Sequence, residues 1–210
     1  MANEFKIKNI MTITNECNMQ LMARYHDNYF DLAIVDPPYG INITSECMGG
    51  RKTIKPDITK NWDNETPTKE YFKELFRVSK NQIIWGGNYF DLPKSRYFAV
   101  WDKGETMYGR DFAECEFAWV NNGGTRIIKK SPNQLDRIHP TQKPTYLYKA
   151  LLEKYAKENN KILDTHLGSG SIAIACHDYG FDLTACELNR EYFDKAMQRI
   201  NNHVAQQKLF

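Results

Sequence analysis

Long hydrophobic runs are missing from this 210-residue chain. No apolar stretch exceeds six residues, so no segment could cross a bilayer as a helix. Cysteine is scarce and scattered: Cys17, Cys47, Cys115, Cys176 and Cys186 form an odd set without a C-x-x-C pair. That argues against a disulfide framework or a zinc knuckle, so no metal site is expected and a reducing, cytoplasmic setting fits. The start, Met1-Ala2-Asn3-Glu4-Phe5-Lys6, lacks the charged-then-apolar pattern of a secretory signal. Repeats, low-complexity tracts and obvious linkers are lacking too. Net charge is only +2, which neither demands a nucleic-acid partner nor excludes one. What the chain has is aromatic mass: 27 Phe, Tyr and Trp residues, enough at this length for one well-buried domain and too many for a disordered chain.

Short apolar runs alternate with helical patterns, which predicts an α/β domain with a largely parallel sheet. Expected strands lie at 31–36, 82–85, 97–101, 116–120, 161–164 and 181–186. Thr66-Pro67 reads as an N-cap and first turn, followed by Phe72, Leu75 and Phe76 at helical spacing. Pro144 opens another helix, with Leu147, Leu151 and Tyr155 on one face. Asn189 caps the last, where Phe193, Ala196, Met197 and Ile200 form a stripe that packs on the sheet. Residues 42–62 and 121–138 carry no sustained periodicity and read as loops. Both are basic. The first holds Arg51, Lys52, Lys55 and Lys60 against Glu46 and Asp57; the second, extended to Lys143, holds Arg126, Lys129, Lys130, Arg137 and Lys143 against Asp136.

Asp164-Thr165-His166-Leu167-Gly168-Ser169-Gly170-Ser171 follows a strand and precedes the helical stretch 172–179; a second strand then ends at Glu187. Glycines permit a tight strand-to-helix turn and let a ligand approach free backbone N–H groups. An acid at the end of the next strand can accept hydrogen bonds from both hydroxyls of a ribose. A G-x-G alone is weak evidence, because a helix entry can use glycine for itself. With strand, helix and distal acid in register, the unit reads as the nucleoside-binding half of a Rossmann-type sheet. Ala173 stands where a dinucleotide fingerprint would have its third glycine.

Asp36-Pro37-Pro38-Tyr39-Gly40 follows the strand at 31–35. Two prolines stiffen the turn and remove two backbone donors, leaving carbonyls beside a carboxylate and an aromatic ring. Such an acceptors-only corner suits a planar substrate with an exocyclic NH₂: one hydrogen to Asp36, the other to the Pro37 carbonyl, with Tyr39 over the ring face. Holding both N–H groups out of plane frees the amine lone pair for in-line attack. The plainer reading is a rigid turn with Tyr39 packing locally.

Together, Asp36-Pro37-Pro38-Tyr39, His139-Pro140-Thr141-Gln142-Lys143-Pro144 and the loop from Asp164 to Gly170 resemble the amino-methylating DNA methyltransferases. Their order is similar to the permuted, beta class, in which the D-P-P-Y half precedes the S-adenosylmethionine half. Gln82-Ile83-Ile84-Trp85-Gly86-Gly87-Asn88-Tyr89 also resembles a recurring segment of these enzymes. The resemblance implies a Rossmann-like class I methyltransferase fold: a mostly parallel seven-stranded sheet with helices on both faces. It implies one domain over 1–210, with a catalytic half at about 10–120, a small recognition loop at about 121–138 and a cofactor half at about 139–202. The strands ending in Asp36 and Asp164 would be neighbours at the topological switch point. S-adenosylmethionine would meet Leu167, Gly168, Ser169 and Gly170, with Asp164 near its methionine end, Glu187 on its ribose, and Thr141 and Lys143 closing over it. Thr165-His166 departs from the Pro-Phe that the family often has, and His166 is expected to form a polar pocket wall or to stack in the Phe's place. Asp at the first position of D-P-P-Y implies adenine N6 as the target. Cytosine N4 is the alternative, and a catalytically silent nucleic-acid-binding protein is the rival from another class.

Base methylation requires a flipped nucleotide, so double-stranded DNA is the expected partner. Arg51, Lys52, Lys55, Arg126, Lys129, Lys130, Asn133, Gln134 and Arg137 are the expected DNA contacts, to phosphates or base edges. The 121–138 segment is too short for a recognition domain, which implies a relaxed target sequence or a homodimer that shares the DNA. Restriction-modification, phage self-modification and gene regulation all remain open roles.

Overall fold

The computed structural model describes residues 10–41, 63–111, 113–132, 137–139 and 141–206. Among these, eight strands run in chain order: β1 Met11–Thr14, β2 Leu32–Val35, β3 Gln82–Trp85, β4 Tyr97–Asp102, β5 Cys115–Val120, β6 Arg126–Lys129, β7 Lys161–Asp164 and β8 Asp182–Cys186. Five helices join them: α1 Asn18–Ala23, α2 Lys69–Val78, α3 Thr145–Tyr155, α4 Ser171–Tyr179 and α5 Arg190–Ala205. The strands form one sheet in the order β1-β8-β7-β2-β3-β5-β4-β6. Every neighbouring pair is parallel except those made by β5, which runs antiparallel to β3 and β4.

The apolar runs of β2 and β3 are buried on both faces, as central parallel strands require. Leu32 and Ile34 point into the core shared with α3, α4 and α5, whereas Ala33 and Val35 meet α1 and α2 on the other face. The expected α/β sheet with helices on both faces is therefore present, with corrections of detail. Eight strands replace seven. Two of them stand outside the six ranges read from the sequence: β1, which pairs with β8, and β6, which lies within the segment expected to be a loop and pairs with the edge of β4. Of the four residues of β6 only Ile128 is buried, so the apolar run that marks a strand is missing. Helix α2 begins at Lys69, with Thr68 rather than Thr66 as its N-cap. The Thr68 hydroxyl accepts from Tyr71 N at 3.4 Å, while Thr66 and Pro67 form part of a cavity wall. Helix α5 is capped by Asn189, which accepts from Tyr192 N, but its buried stripe leads with Tyr192 instead of Phe193.

This topology decides which residues can meet. Parallel strands bring their carboxyl ends to one edge, so Asp36 after β2, the glycine loop after β7 and Glu187 after β8 converge there. Strands β2 and β7 are direct neighbours, pairing Leu32 with Ile162 and Ala33 with Leu163. Because β5 is reversed, it delivers its amino end to that same edge, with Glu116 opposite Trp101 of β4. Among the described residues, no helix is long and apolar enough to cross a membrane.

Candidate active site

A cavity of about 780 Å³ opens along the carboxyl edge. On one side it is lined by His166, Leu167, Gly168, Ser169 and Glu187. Gly170, at φ +75°, turns the chain into α4, and a Cβ there would come within 2.9 Å of Ile200. Gly168, at φ +54°, has only the His166 carbonyl near its missing Cβ, so this part of the loop stays open to a ligand. Glu187 is held by main chain: Gly168 N donates to one oxygen at 2.9 Å and Asn189 N to the other at 2.9 Å. Burial raises its proton affinity, and these backbone donors oppose the rise. A carboxylate fixed this way keeps a lone pair on each oxygen for a vicinal diol. The donor and acceptor set thus fits a nucleoside. Asp164 is not part of the lining. It is buried beneath the loop, accepts from His166 N at 2.9 Å, and burial pushes its carboxyl up to about 8.

His166 lines the same cavity. Asn18 of α1 approaches its Nε2 at 3.1 Å, Thr165 Oγ1 lies 2.9 Å from its Nδ1, and the Tyr71 hydroxyl closes the chain 2.7 Å from Thr165. Tyr71 also meets the imidazole edge-on at 5.3 Å. Burial drops the His166 pKa to about 3, so the ring is neutral, with a partner on each nitrogen. Thr165-His166 is therefore a hydrogen-bonded, polar part of the cavity wall.

On the other side lies the D-P-P-Y corner. Pro37 and Pro38 have no N–H, and the next two donors, Tyr39 N and Gly40 N, go to the buried Asp63 at 2.7 and 3.1 Å. The main chain thus offers the cavity no donor at these positions, as the sequence suggested. The side chains correct the acceptors-only expectation. The Lys143 ammonium sits 2.5 Å from Asp36 Oδ2 and 3.1 Å from Glu116 Oε2, and the Tyr39 hydroxyl donates to Asp36 Oδ1 at 2.7 Å. Lys103 holds the other Glu116 oxygen at 3.0 Å. A buried carboxylate without a counter-charge would cost several kcal/mol, and Lys143, 2% exposed, supplies that charge. Burial raises the Asp36 pKa and Lys143 works against the rise. Burial likewise acts to raise Glu116, but the two lysines overcome it and hold the carboxyl below its usual value. Tyr39 stacks on Tyr89 at 4.9 Å and 12°, and Gly86 presses on its ring so closely that a Cβ would come within 2.2 Å. The glycine-rich segment after β3 therefore fixes Tyr39.

The H-P-T-Q-K-P segment joins the two sides. Gln142 N donates to the His139 carbonyl, Thr141 N to His139 Nδ1, and Ser171 Oγ of α4 to the Lys143 carbonyl at 2.8 Å. Thr141 and Lys143 line both the large cavity and a recess of about 60 Å³ beside Asp36, Pro37, Tyr39 and Glu116.

A nucleoside-shaped half and an amine-accepting corner on one sheet edge invite comparison with known proteins. A family model described as DNA methylase, covering N6 and N4 methyltransferases, matches residues 94–198, half of the chain. The chain belongs to this DNA methylase family. It is 25% identical over 210 residues to the provisionally named methylase YubD of Escherichia coli (strain K12), spanning 90% of this chain and 88% of that one. It is 26% identical over 163 residues to the type II methyltransferase M2.LlaDCHI of Lactococcus lactis subsp. cremoris, spanning 78% of this chain but 56% of the relative. Among solved structures, the M1.HpyAVI–SAM complex has a similar fold, with TM-score 0.62 and 18% identity over 91% of this chain and all of the other.

For this DNA methylase, the structure brings Asp36, Pro38, Thr141, Lys143, His166, Leu167, Gly168, Ser169 and Glu187 onto one cavity. Lys143, expected against a cofactor, gives its ammonium to Asp36 and Glu116. Among the expected DNA contacts, Arg126 and Lys129 lie exposed on β6, with Lys129 2.9 Å from Glu105, and Lys130 sits over the Tyr146 ring. The Arg137 guanidinium reaches the Pro132 carbonyl at 3.4 Å, and burial lowers its pKa. Arg51, Lys52, Lys55, Asn133 and Gln134 lie outside the described residues. Sequence reasoning missed Asn18, Asp63, Tyr71, Lys103 and Glu116 as site residues. For Glu116 one signal existed: a lone acid at the mouth of an otherwise apolar strand.

Proposed function

We propose that this DNA methylase transfers a methyl group from S-adenosylmethionine to the N6 amine of a flipped adenine in DNA. One observation carries the reading. The Asp36 carboxylate, on a proline-stiffened corner, opens onto the same cavity as the glycine loop and Glu187. The cofactor supplies a methyl carried on a sulfonium, which is already electrophilic. Glu187 and the loop's main chain would hold its nucleoside, with His166 as a neutral wall. Asp36 and the Pro37 carbonyl would each accept one amine hydrogen, drawing the nitrogen toward tetrahedral geometry and aiming its lone pair. Lys143 and the Tyr39 hydroxyl both donate to Asp36, so the residue faces the site as an acceptor. Tyr39, braced by Tyr89, would bound the base. Arg126, Lys129, Lys130 and Arg137, together with the basic residues of 42–62, would meet phosphates.

The test is direct. The purified chain is incubated with labelled cofactor and mixed genomic DNA, and the product is digested to nucleosides. N6-methyladenine is the expected modified nucleoside. N4-methylcytosine would move the target to cytosine, and DNA binding without label transfer would overturn the catalytic reading.

A further inference from the structure

We infer that Glu116 is a positioning residue for the acceptor corner: it offers the Lys143 ammonium a second seat, so that Asp36 can take an incoming amine. This rests on the methyl-transfer reading above. Both Asp36 oxygens already have a donor, Tyr39 on Oδ1 and Lys143 on Oδ2. An amine arriving at Oδ2 therefore competes with a charged donor, the strongest kind available. If Lys143 had Asp36 alone, its displacement would leave an ammonium that is 2% exposed with only the neutral Tyr39 hydroxyl, 3.3 Å away, in place of a carboxylate. Glu116 removes that obstacle. Its Oε2 lies 3.1 Å from the same ammonium, so a small side-chain movement changes which carboxylate holds the charge.

The surroundings suit such an exchange. The Lys143 main chain is anchored by Ser171 at its carbonyl, which confines the movement to the side chain. Trp85 and Tyr39 present ring faces to the ammonium at 5.3 and 5.7 Å, so it stays partly compensated between the two seats. Lys103 fixes the other Glu116 oxygen and thereby the direction of Oε2. The three charged members of this exchange, Asp36, Glu116 and Lys143, lie far apart in sequence. Glu116 reaches the corner because β5 runs antiparallel to both of its neighbours.

The experiment compares the whole chain with Glu116→Gln and Glu116→Asp, using tritiated S-adenosylmethionine and genomic DNA. Calorimetric cofactor affinity and melting temperature are measured in parallel. Glu116→Gln should lower kcat by about 10- to 100-fold while cofactor affinity stays within about twofold. Glu116→Asp, which keeps the charge on a shorter arm, should fall between it and the wild type. A Glu116→Gln variant with wild-type kcat overturns the inference alone. So do equal losses in both variants that track a fall in melting temperature, because they mark a purely structural role. Should Glu116→Gln not fold, Glu116→Asp decides: reduced kcat with intact cofactor affinity supports the inference, and unchanged kcat overturns it. A wild-type chain that transfers no label overturns the methyl-transfer reading, and this inference with it.

Discussion

On the glycine-loop side of the cavity a ligand would meet main chain: the open backbone at Gly168, and Glu187 held by two N–H groups. On the D-P-P-Y side it would meet side-chain charge, with Asp36, Glu116, Lys143 and Lys103 in one chain of contacts. The first arrangement is rigid, because peptide dipoles cannot leave their helix or turn. The second can be rearranged, because an ammonium shared between two carboxylates has two places to go. Binding a constant cofactor suits the former, and admitting and releasing a base suits the latter.

Breaking the acceptor side should have the largest effect. Asp36→Ala should abolish methyl transfer, a fall of at least about 10³-fold, while leaving cofactor affinity nearly intact, as label transfer and calorimetry can show. Transfer at a comparable rate would mean that the corner is not where the amine is held. Breaking the cofactor side should give the reverse split. Glu187→Ala should weaken cofactor affinity by about 10- to 100-fold, since two hydroxyl hydrogen bonds to a charged acceptor are lost. Its kcat at saturating cofactor should stay within about threefold.

The smallest effect sharpens the boundary between the two sides. His166 and His139 are both held neutral by burial, with pKa values lowered to about 3, against 6.5 in an unfolded chain. A lowered pKa means that the unfolded chain binds protons the folded one refuses. Their contribution to stability is therefore complete above about pH 6.5 and is lost as pH falls toward 3, at up to about 1.4 kcal/mol per pH unit for each ring. Asp164 acts in the opposite sense: its pKa is raised from 3.8, so its contribution is complete below that value and fades as pH rises toward about 8. Thermal melts at pH 7 and pH 5 should show His166→Gln losing less stability on acidification than the wild type. An identical loss would place the acid sensitivity elsewhere.

Much of the site is legible in the sequence. The nucleoside half was readable because its parts are local: strand, glycines, helix and distal acid fall within 23 residues of each other, from Asp164 to Glu187. The D-P-P-Y corner was equally compact. What escaped were partners separated by long stretches of chain. Asp36 and Lys143 are 107 residues apart, and Asn18 and His166 are 148 apart. Short elements escaped as well. Strand β6 has one buried residue in four, and α1 spans six residues, too few for periodicity to show.

By itself the sequence determined the strand-and-helix alternation, the two chemical motifs and the placing of each at a strand end. Backbone stiffness, glycine freedom and apolar period are local properties, and they act over a handful of residues. Only the tertiary structure decided the company of Asp36. Sheet order and the reversal of β5 brought Glu116, Lys143 and Lys103 around it. A buried carboxylate takes its acidity from whatever charge the fold places within a few ångströms, and no spacing along the chain records that.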